Sequence, residues 1–236
     1  DAINVAGSIS RNSDKAWALS NIVVELAKAG QFDKALNVAG SIYYNSDKAK
    51  ALINIASELA KAGQFDKAVN VVGFISDYYS KAWALINIAS ELAKAGQLDK
   101  AVNIAGYISF DYFKAWALRY IASELAEAGR FDDALNTTRF ISDDSEKAWA
   151  LRNIASELAK AGQFNKALTV AGSISDDDDK ADTLINIASE LAKARQFDKA
   201  FDVAGSISDD YYKALALINI ASELAKAGQT QKALQI

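Results

Sequence analysis

Lys15, Lys48, Lys81, Lys114, Lys147, Lys180 and Lys213 stand 33 residues apart, with no insertion or deletion between them. Each opens a copy of a segment such as KAWALRNIASELAKAGQFNKALTVAGSIS. A strict period of this size, with two amphipathic helical patterns per copy, leaves little freedom of architecture. Each unit is too small to bury its apolar face alone and must stack on its neighbours. The expected organisation is a single repeat array over 1–236, in which 1–14 is the second helix of a preceding repeat. Repeats then occupy 15–47, 48–80, 81–113, 114–146, 147–179 and 180–212, with a partial one at 213–236.

Within residues 147–179, Ala148, Leu151, Ile154, Ala155 and Leu158 recur at the three-and-four spacing of an amphipathic helix, helix A, which ends at Gly162. Glycine follows helix A in six of seven copies (Gly30, Gly63, Gly96, Gly129, Gly162 and Gly228), as expected where a helix stops through a left-handed residue. Arg195 takes the place of the seventh, at an expected cost of about 1 kcal/mol if the backbone there is the same. Phe164, Ala167, Leu168, Ala171 and Ile174 form a second, shorter stripe, helix B. Ser, Asp and Asn cluster before the next Lys, where they are expected to cap the following helix A.

Gly7, Gly40, Gly73, Gly106, Gly172 and Gly205 fall in or near the end of helix B, where glycine costs about 1 kcal/mol relative to alanine. Close approach of stacked backbones would account for them. In the fourth repeat the position is Arg139, preceded by Thr137 and Thr138, and local packing is expected to differ there.

Cys, His, Met and Pro are all absent, and the chain starts at Asp1, part-way through a repeat, as a fragment, processed product or engineered chain would. Without Cys or His the usual thiolate nucleophile, general base and metal ligands are missing, so no catalytic or metal site and no cofactor is expected. A net charge of −4 disfavours nucleic acid, whose affinity rests on Lys and Arg neutralising phosphates. No apolar run approaches the roughly 18 residues of a membrane span, and no membrane partner is expected. The compartment is not specified by the sequence; a cytoplasmic one is the favoured expectation.

Aligned on its glycine, the copy at 147–179 resembles the tetratricopeptide repeat. Leu151, Ile154, Ala155 and Leu158 fall at the family's helix A positions, while Gly162, Phe164, Ala167, Ala171 and Ile174 fall at its turn glycine and helix B positions. The period of 33 is one short of the family's usual length of about 34, and the closing proline is missing. The resemblance implies an all-α, right-handed αα superhelical solenoid of about seven helix-turn-helix repeats, with helix A lining a concave groove. The tail of helix A and the start of helix B also resemble the RNA-reading pentatricopeptide repeats.

On a helical wheel at 100° per residue, Trp149, Asn153, Ser156 and Lys160 share a face roughly opposite Leu151, Ala155 and Leu158. The resemblance implies that this face meets a ligand. Asparagine holds the second stripe position in six copies, Asn21, Asn54, Asn87, Asn153, Asn186 and Asn219, with Tyr120 in the fourth repeat. A carboxamide offers donors and an acceptor, so it can pair with the N–H and C=O of an extended peptide. Helices about 10 Å apart would present one asparagine to about every third residue of such a peptide. This resembles the asparagine ladders of superhelical tetratricopeptide arrays; a solvated face copied by duplication is the alternative. Trp17, Trp83, Trp116 and Trp149 lie one turn earlier, where other copies carry Lys50, Asp182 and Leu215. They are read either as anchors in the groove or as rings packed over the preceding repeat.

Glu157 and its counterparts precede a Lys by three residues in six copies, the spacing of surface pairs along a helix. The turns between repeats mix acids with Tyr43, Tyr44, Tyr78, Tyr79, Phe110, Tyr112, Phe113, Tyr211 and Tyr212, read as caps and packing rings or as an interaction edge. The functional expectation is a noncatalytic scaffold that binds a protein or peptide segment in the groove of the A helices. Two alternatives stand beside it. One is a structural array that self-associates end to end. The other is RNA reading through Ser20, Ile53, Ile86, Arg119, Arg152, Ile185 and Ile218, whose four isoleucines make a poor hydrogen-bonding code.

Overall fold

The computed structural model describes residues 2–235. Its regular structure there is entirely helical, in long and short helices that alternate along the chain. The long ones are the A helices α2 (Asn12–Lys28), α4 (Asn45–Lys61), α6 (Tyr78–Lys94), α8 (Asp111–Glu127), α10 (Asp144–Lys160), α12 (Asp177–Lys193) and α14 (Asp210–Lys226). The short ones are the B helices α1 (Ala2–Gly7), α3 (Phe32–Gly40), α5 (Phe65–Val72), α7 (Leu98–Gly106), α9 (Phe131–Thr138), α11 (Phe164–Gly172), α13 (Phe197–Gly205) and α15 (Thr230–Ala233). Each A helix begins three residues before the lysine that marks the period, so repeat boundaries drawn at Lys cut into its first turn. None of the described helices is long and apolar enough to cross a membrane.

Capping chemistry explains where the A helices start and stop. Asp77, Asp143 and Asp176 each accept the backbone N–H three residues on, from Ser80, Glu146 and Asp179 at 2.8–2.9 Å. Asp209 accepts from Tyr211 and Tyr212. The expected cap fails at α2 and α4, whose N-cap residues are Arg11 and Tyr44 and form no such bond. At the other end every A helix closes in a Schellman motif. In α10, Gly162 (φ 73°) donates to Ala159 and Gln163 donates to Leu158, at 2.9 and 2.8 Å. Arg195 repeats both bonds at φ 58°, so the geometry is kept without the glycine.

The glycines of helix B need a different explanation from the one expected. A Cβ added at Gly7, Gly40, Gly106, Gly172 or Gly205 would meet nothing within 4 Å, so no neighbouring backbone crowds them. They sit at the last residue of their helices, in open space. Gly73 alone would meet an atom, the Asn70 carbonyl oxygen at 3.0 Å.

The chain forms two compact units that meet in sequence between Ala117 and Leu118, inside α8. In the first, each A helix packs on its own B helix and on the next A helix, and the B helix also touches that next A helix, from α2 through α7. Its largest fully buried side chains are Ile55, Leu59, Ile75, Ile86, Ile88 and Leu92. In the second, α9 to α15 repeat the scheme around Leu118, Ile121, Leu125, Ile154, Leu158 and Ile187.

The predicted stripe of α10 is buried throughout, but Ala150 and Ala159, outside it, are buried as well. An A helix flanked by two others hides its sides, and a small residue there, Ala150 or its buried counterpart Thr183 in α12, permits close approach. Ile174 is buried although it lies two residues past the end of α11, closing the loop rather than extending the helix. Packing does differ in the fourth repeat. Thr137 and Thr138 are buried in α9, and their hydroxyls donate to the Asp133 and Leu135 carbonyls at 2.9 and 2.8 Å.

Candidate functional site

The face read from the helical wheel lines a groove in the second unit. Arg119, Tyr120, Ser123, Glu124 and Glu127 from α8 meet Trp149, Asn153, Ser156, Glu157 and Lys160 from α10, with Asn186 and Glu190 from α12. Together they enclose about 640 Å³. All four residues assigned to one face of α10 are among them. The opposite side of the same helix supplies Leu151, Ala155 and Leu158 to the core, so one helix separates packing from the groove by its 3.6-residue period.

The asparagines are partly engaged between helices. Asn153 Nδ2 donates to Ser123 Oγ, 30 residues earlier, at 2.9 Å. Asn219 donates to Ser189 at 3.1 Å, and in the first unit Asn87 donates to Ser57 at 3.0 Å. Each bond links consecutive A helices through one N–H, leaving the carbonyl oxygen and the second N–H of the amide for other partners.

The rung is not uniform. Asn54 has Val24 at the serine position, and Asn21 turns back to the Trp17 carbonyl at 2.9 Å. Asn186 and Ser156 line the groove together, yet among the described residues neither side chain forms a hydrogen bond. Ser90 has a buried Oγ without a partner, and 30 residues after it the sequence carries Tyr120 in place of asparagine.

The tryptophans take different positions. Trp83 and Trp116 stack in the first unit, with centroids 4.8 Å apart and planes at 11°. With Tyr79 and Phe113 they line a smaller pocket of about 250 Å³. Trp149 carries the guanidinium groups of Arg119 and Arg152 over its ring, at 4.6 and 5.0 Å. Trp17 is 72% exposed. Packing against the neighbouring repeat therefore describes Trp83, Trp116 and Trp149, while Trp149 also borders the groove.

The arginines at the pentatricopeptide reading position act as struts. Arg119 Nε lies 2.6 Å from Glu146, and Arg152 reaches Asp179 and Asp182 at 3.5 and 3.6 Å. Ile86 and Ile185 at the same position are buried.

The predicted Glu–Lys pairs form along the A helices. Glu58–Lys61, Glu157–Lys160, Glu190–Lys193 and Glu223–Lys226 span 2.6–2.8 Å, with Glu25–Lys28 and Glu91–Lys94 at 3.1 and 3.5 Å. The Glu157 hydrogen bond raises Lys160 above its ordinary value; burial opposes it, and the fields of Glu157, Glu190 and Glu127 add to it. The turn aromatics of the first unit touch one another, as in Tyr78–Phe110 and Tyr79–Phe113, each pair with centroids 5.1 Å apart. Sequence reasoning passed over Ser123 and Glu127 as groove residues. The stripe pattern already contained Ser123 as the counterpart of Ser156, and Glu127 was visible as a Glu where other copies have Lys.

Among the described residues there is no group of His, Cys, Asp or Glu arranged to hold a metal. No family model matches the chain, and no curated protein sequence matches it. Among solved structures, the chain is similar to the crystal structure of Ton1535 from Thermococcus onnurineus NA1, at 19% identity over 93% of this chain and 83% of that one, with a TM-score of 0.34.

Proposed function

We propose that the chain is a tetratricopeptide-like, noncatalytic binding module whose A helices hold an extended peptide segment. The observation that carries this reading is the adjacency of Asn153, Ser156 and Asn186 in one groove, with Trp149 at its border. Asn186 and Ser156 keep their donors and acceptors, and Asn153 keeps its carbonyl oxygen and one N–H. A strand laid across α10 and α12 would find a carboxamide about every 10 Å, matching every third peptide residue. Backbone groups would supply the affinity, and side chains bordering the groove the selectivity. Exposed polar side chains on a helix face also suit a solvated surface, but a concave volume of this size is what a peptide needs and a convex helix face lacks.

The test is selection of binders from a random dodecapeptide display library, followed by titration of the enriched peptides. Replacing Asn87, Asn153 and Asn186 together by Ala should weaken binding at least tenfold while leaving the helical circular dichroism unchanged. Peptides that bind the triple variant as tightly as the parent would refute the ladder.

A further inference from the structure

In the second unit the Trp149 ring is closed in by charge. Arg119 and Arg152 lie over it, and Glu146, Asp179 and Asp182 hold the two guanidinium groups. Two periods earlier in the sequence, 66 residues back, the same repeat position is Trp83. There Ile53 and Ile86 take the places of the two arginines, and Ser80, Phe113 and Trp116 take those of the three acids. The whole ion-paired cluster has been exchanged for uncharged side chains. Such a departure from a pattern kept elsewhere in the array is where a functional constraint is to be sought.

What the exchange leaves in the first unit is an open slot between α6 and the start of α8. Tyr79, Ser80, Ala82, Trp83, Phe113 and Trp116 line about 250 Å³, and none of them is charged. The indoles of Trp83 and Trp116 stack, and the rings of Tyr79 and Phe113 meet edge to face, while Tyr79 and Trp83 stay exposed. The volume lies below the roughly 300 Å³ at which sites for drug-sized ligands begin, so it suits one or two side-chain rings. Its polar groups are mainly donors. An indole N–H only donates, and neither Trp83 nor Trp116 forms a hydrogen bond among the described residues. A hydrogen bond to Tyr79 raises the Tyr78 hydroxyl above its ordinary value, as it does when Tyr78 gives its proton to Tyr79 and leaves the Tyr79 O–H to donate elsewhere.

We infer that this slot binds a proline-rich segment of a partner protein in the polyproline II conformation. Proline complements it on every count: the residue is uncharged, presents a compact ring to the aromatic faces, and carries a carbonyl acceptor but no N–H. The ligand conformation is set before binding, so little ordering entropy is lost in a shallow aromatic site. The ring surface continues onto Tyr78 and Phe110, in mutual contact and both exposed, where a second proline one turn along, about 9 Å, also meets a ring. A basic peptide is the poorer match, because the carboxylates that hold the guanidinium groups at Trp149 have no counterpart in this lining. No carboxamide lines the slot either, so the inference stands apart from the asparagine groove proposed above.

The experiment is fluorescence anisotropy with the full chain and three fluorescein-labelled probes: decaproline, an Ala–Ser decapeptide, and the same decapeptide with three Lys. Decaproline is expected to bind roughly tenfold tighter than either of the others. That ratio should hold from low to moderate salt, since no charge lines the slot. Two variants take residues that other copies already carry and should therefore keep the helical circular dichroism. Trp83→Lys adopts the residue of Lys50, and Tyr79→Ser that of Ser13, Ser46 and Ser145. Each should weaken decaproline binding roughly tenfold. Tyr211→Ala removes an exposed ring from the second unit and should leave it unchanged.

Equal binding of decaproline and the Ala–Ser peptide overturns the inference, as does a preference that survives both Trp83→Lys and Tyr79→Ser. Tightest binding of the Lys peptide, weakening with salt, would make the rings a cation site instead. Two further outcomes also overturn it. One is binding of maltohexaose in place of decaproline, which would make the slot a sugar platform. The other is a dimer in sedimentation that Trp83→Lys dissociates, which would mean that a second copy of the chain covers the rings. None of these results bears on the asparagine groove, whose own test uses other residues.

Discussion

Asn153 and Ser123 stand 30 residues apart in sequence and are joined by a 2.9 Å hydrogen bond from the amide nitrogen to the hydroxyl, linking α10 to α8. The stripe asparagine thus has a structural role alongside the binding role proposed for it. A half-buried neutral hydrogen bond contributes about 1 kcal/mol. Asn153→Ala and Ser123→Ala should each lower stability to urea by about that amount, and the double variant by less than their sum. A double-mutant coupling of about 0.5–1 kcal/mol is expected. Additive losses would mean that the bond contributes nothing in solution.

The helical part of this arrangement was legible because it follows from period. The stripe Leu151, Ile154, Ala155 and Leu158 and the stripe Trp149, Asn153, Ser156 and Lys160 both come from a 3.6-residue turn, and one is buried while the other lines the groove. The Asn–Ser rung was not legible, because each partner lies on a different helix and a wheel describes one helix at a time. Ala150 was missed for the same reason: an alanine outside the apolar stripe is buried only because another helix lies beside it. Hydrogen-bond caps at α2 and α4 were expected from composition and are not there, since the residues that fall at the N-cap are Arg11 and Tyr44.

Arg195 holds a left-handed backbone, φ 58°, where the other six copies use glycine. The Schellman bonds are intact, so the strain is local to that residue. Arg195→Gly should stabilise the chain by about 0.5–1 kcal/mol, the relief of the left-handed penalty less the extra freedom glycine gains when unfolded. The reverse change, Gly162→Ala, should cost about 1 kcal/mol. Urea melts of the two variants should therefore move in opposite directions. A shift of the same sign in both would refute the assignment.

Gly172 closes α11 with negative φ and with nothing within 4 Å of where a Cβ would sit. Neither backbone conformation nor packing requires glycine there. Gly172→Ala should raise stability by about 0.5–1 kcal/mol by restricting the unfolded chain. Gly73→Ala is the contrasting case, because its Cβ would come 3.0 Å from the Asn70 carbonyl, and it should gain less or lose. Thermal unfolding of the pair at one pH separates them, and an equal gain in both would show that the crowding at Gly73 relaxes freely.

Asp77 supplies the pH-dependent cap. Hydrogen bonds from the Ser80 side chain and backbone hold its carboxyl below the ordinary value, and the bond from the Ser80 N–H measures 2.8 Å. A carboxyl whose folded pKa is lowered stabilises the fold in full above its unfolded pKa and loses that contribution as pH falls through the folded one. The α6 cap should thus be intact near neutrality and fade in acid. Asp77→Ser supplies a capping oxygen that does not titrate in this range. The variant should therefore lose less melting temperature than the parent between about pH 5 and about pH 2. The difference should be confined to that window, because above it both side chains accept the same N–H. If the two proteins instead lose melting temperature in parallel throughout the window, Asp77 does not cap α6 as a carboxylate.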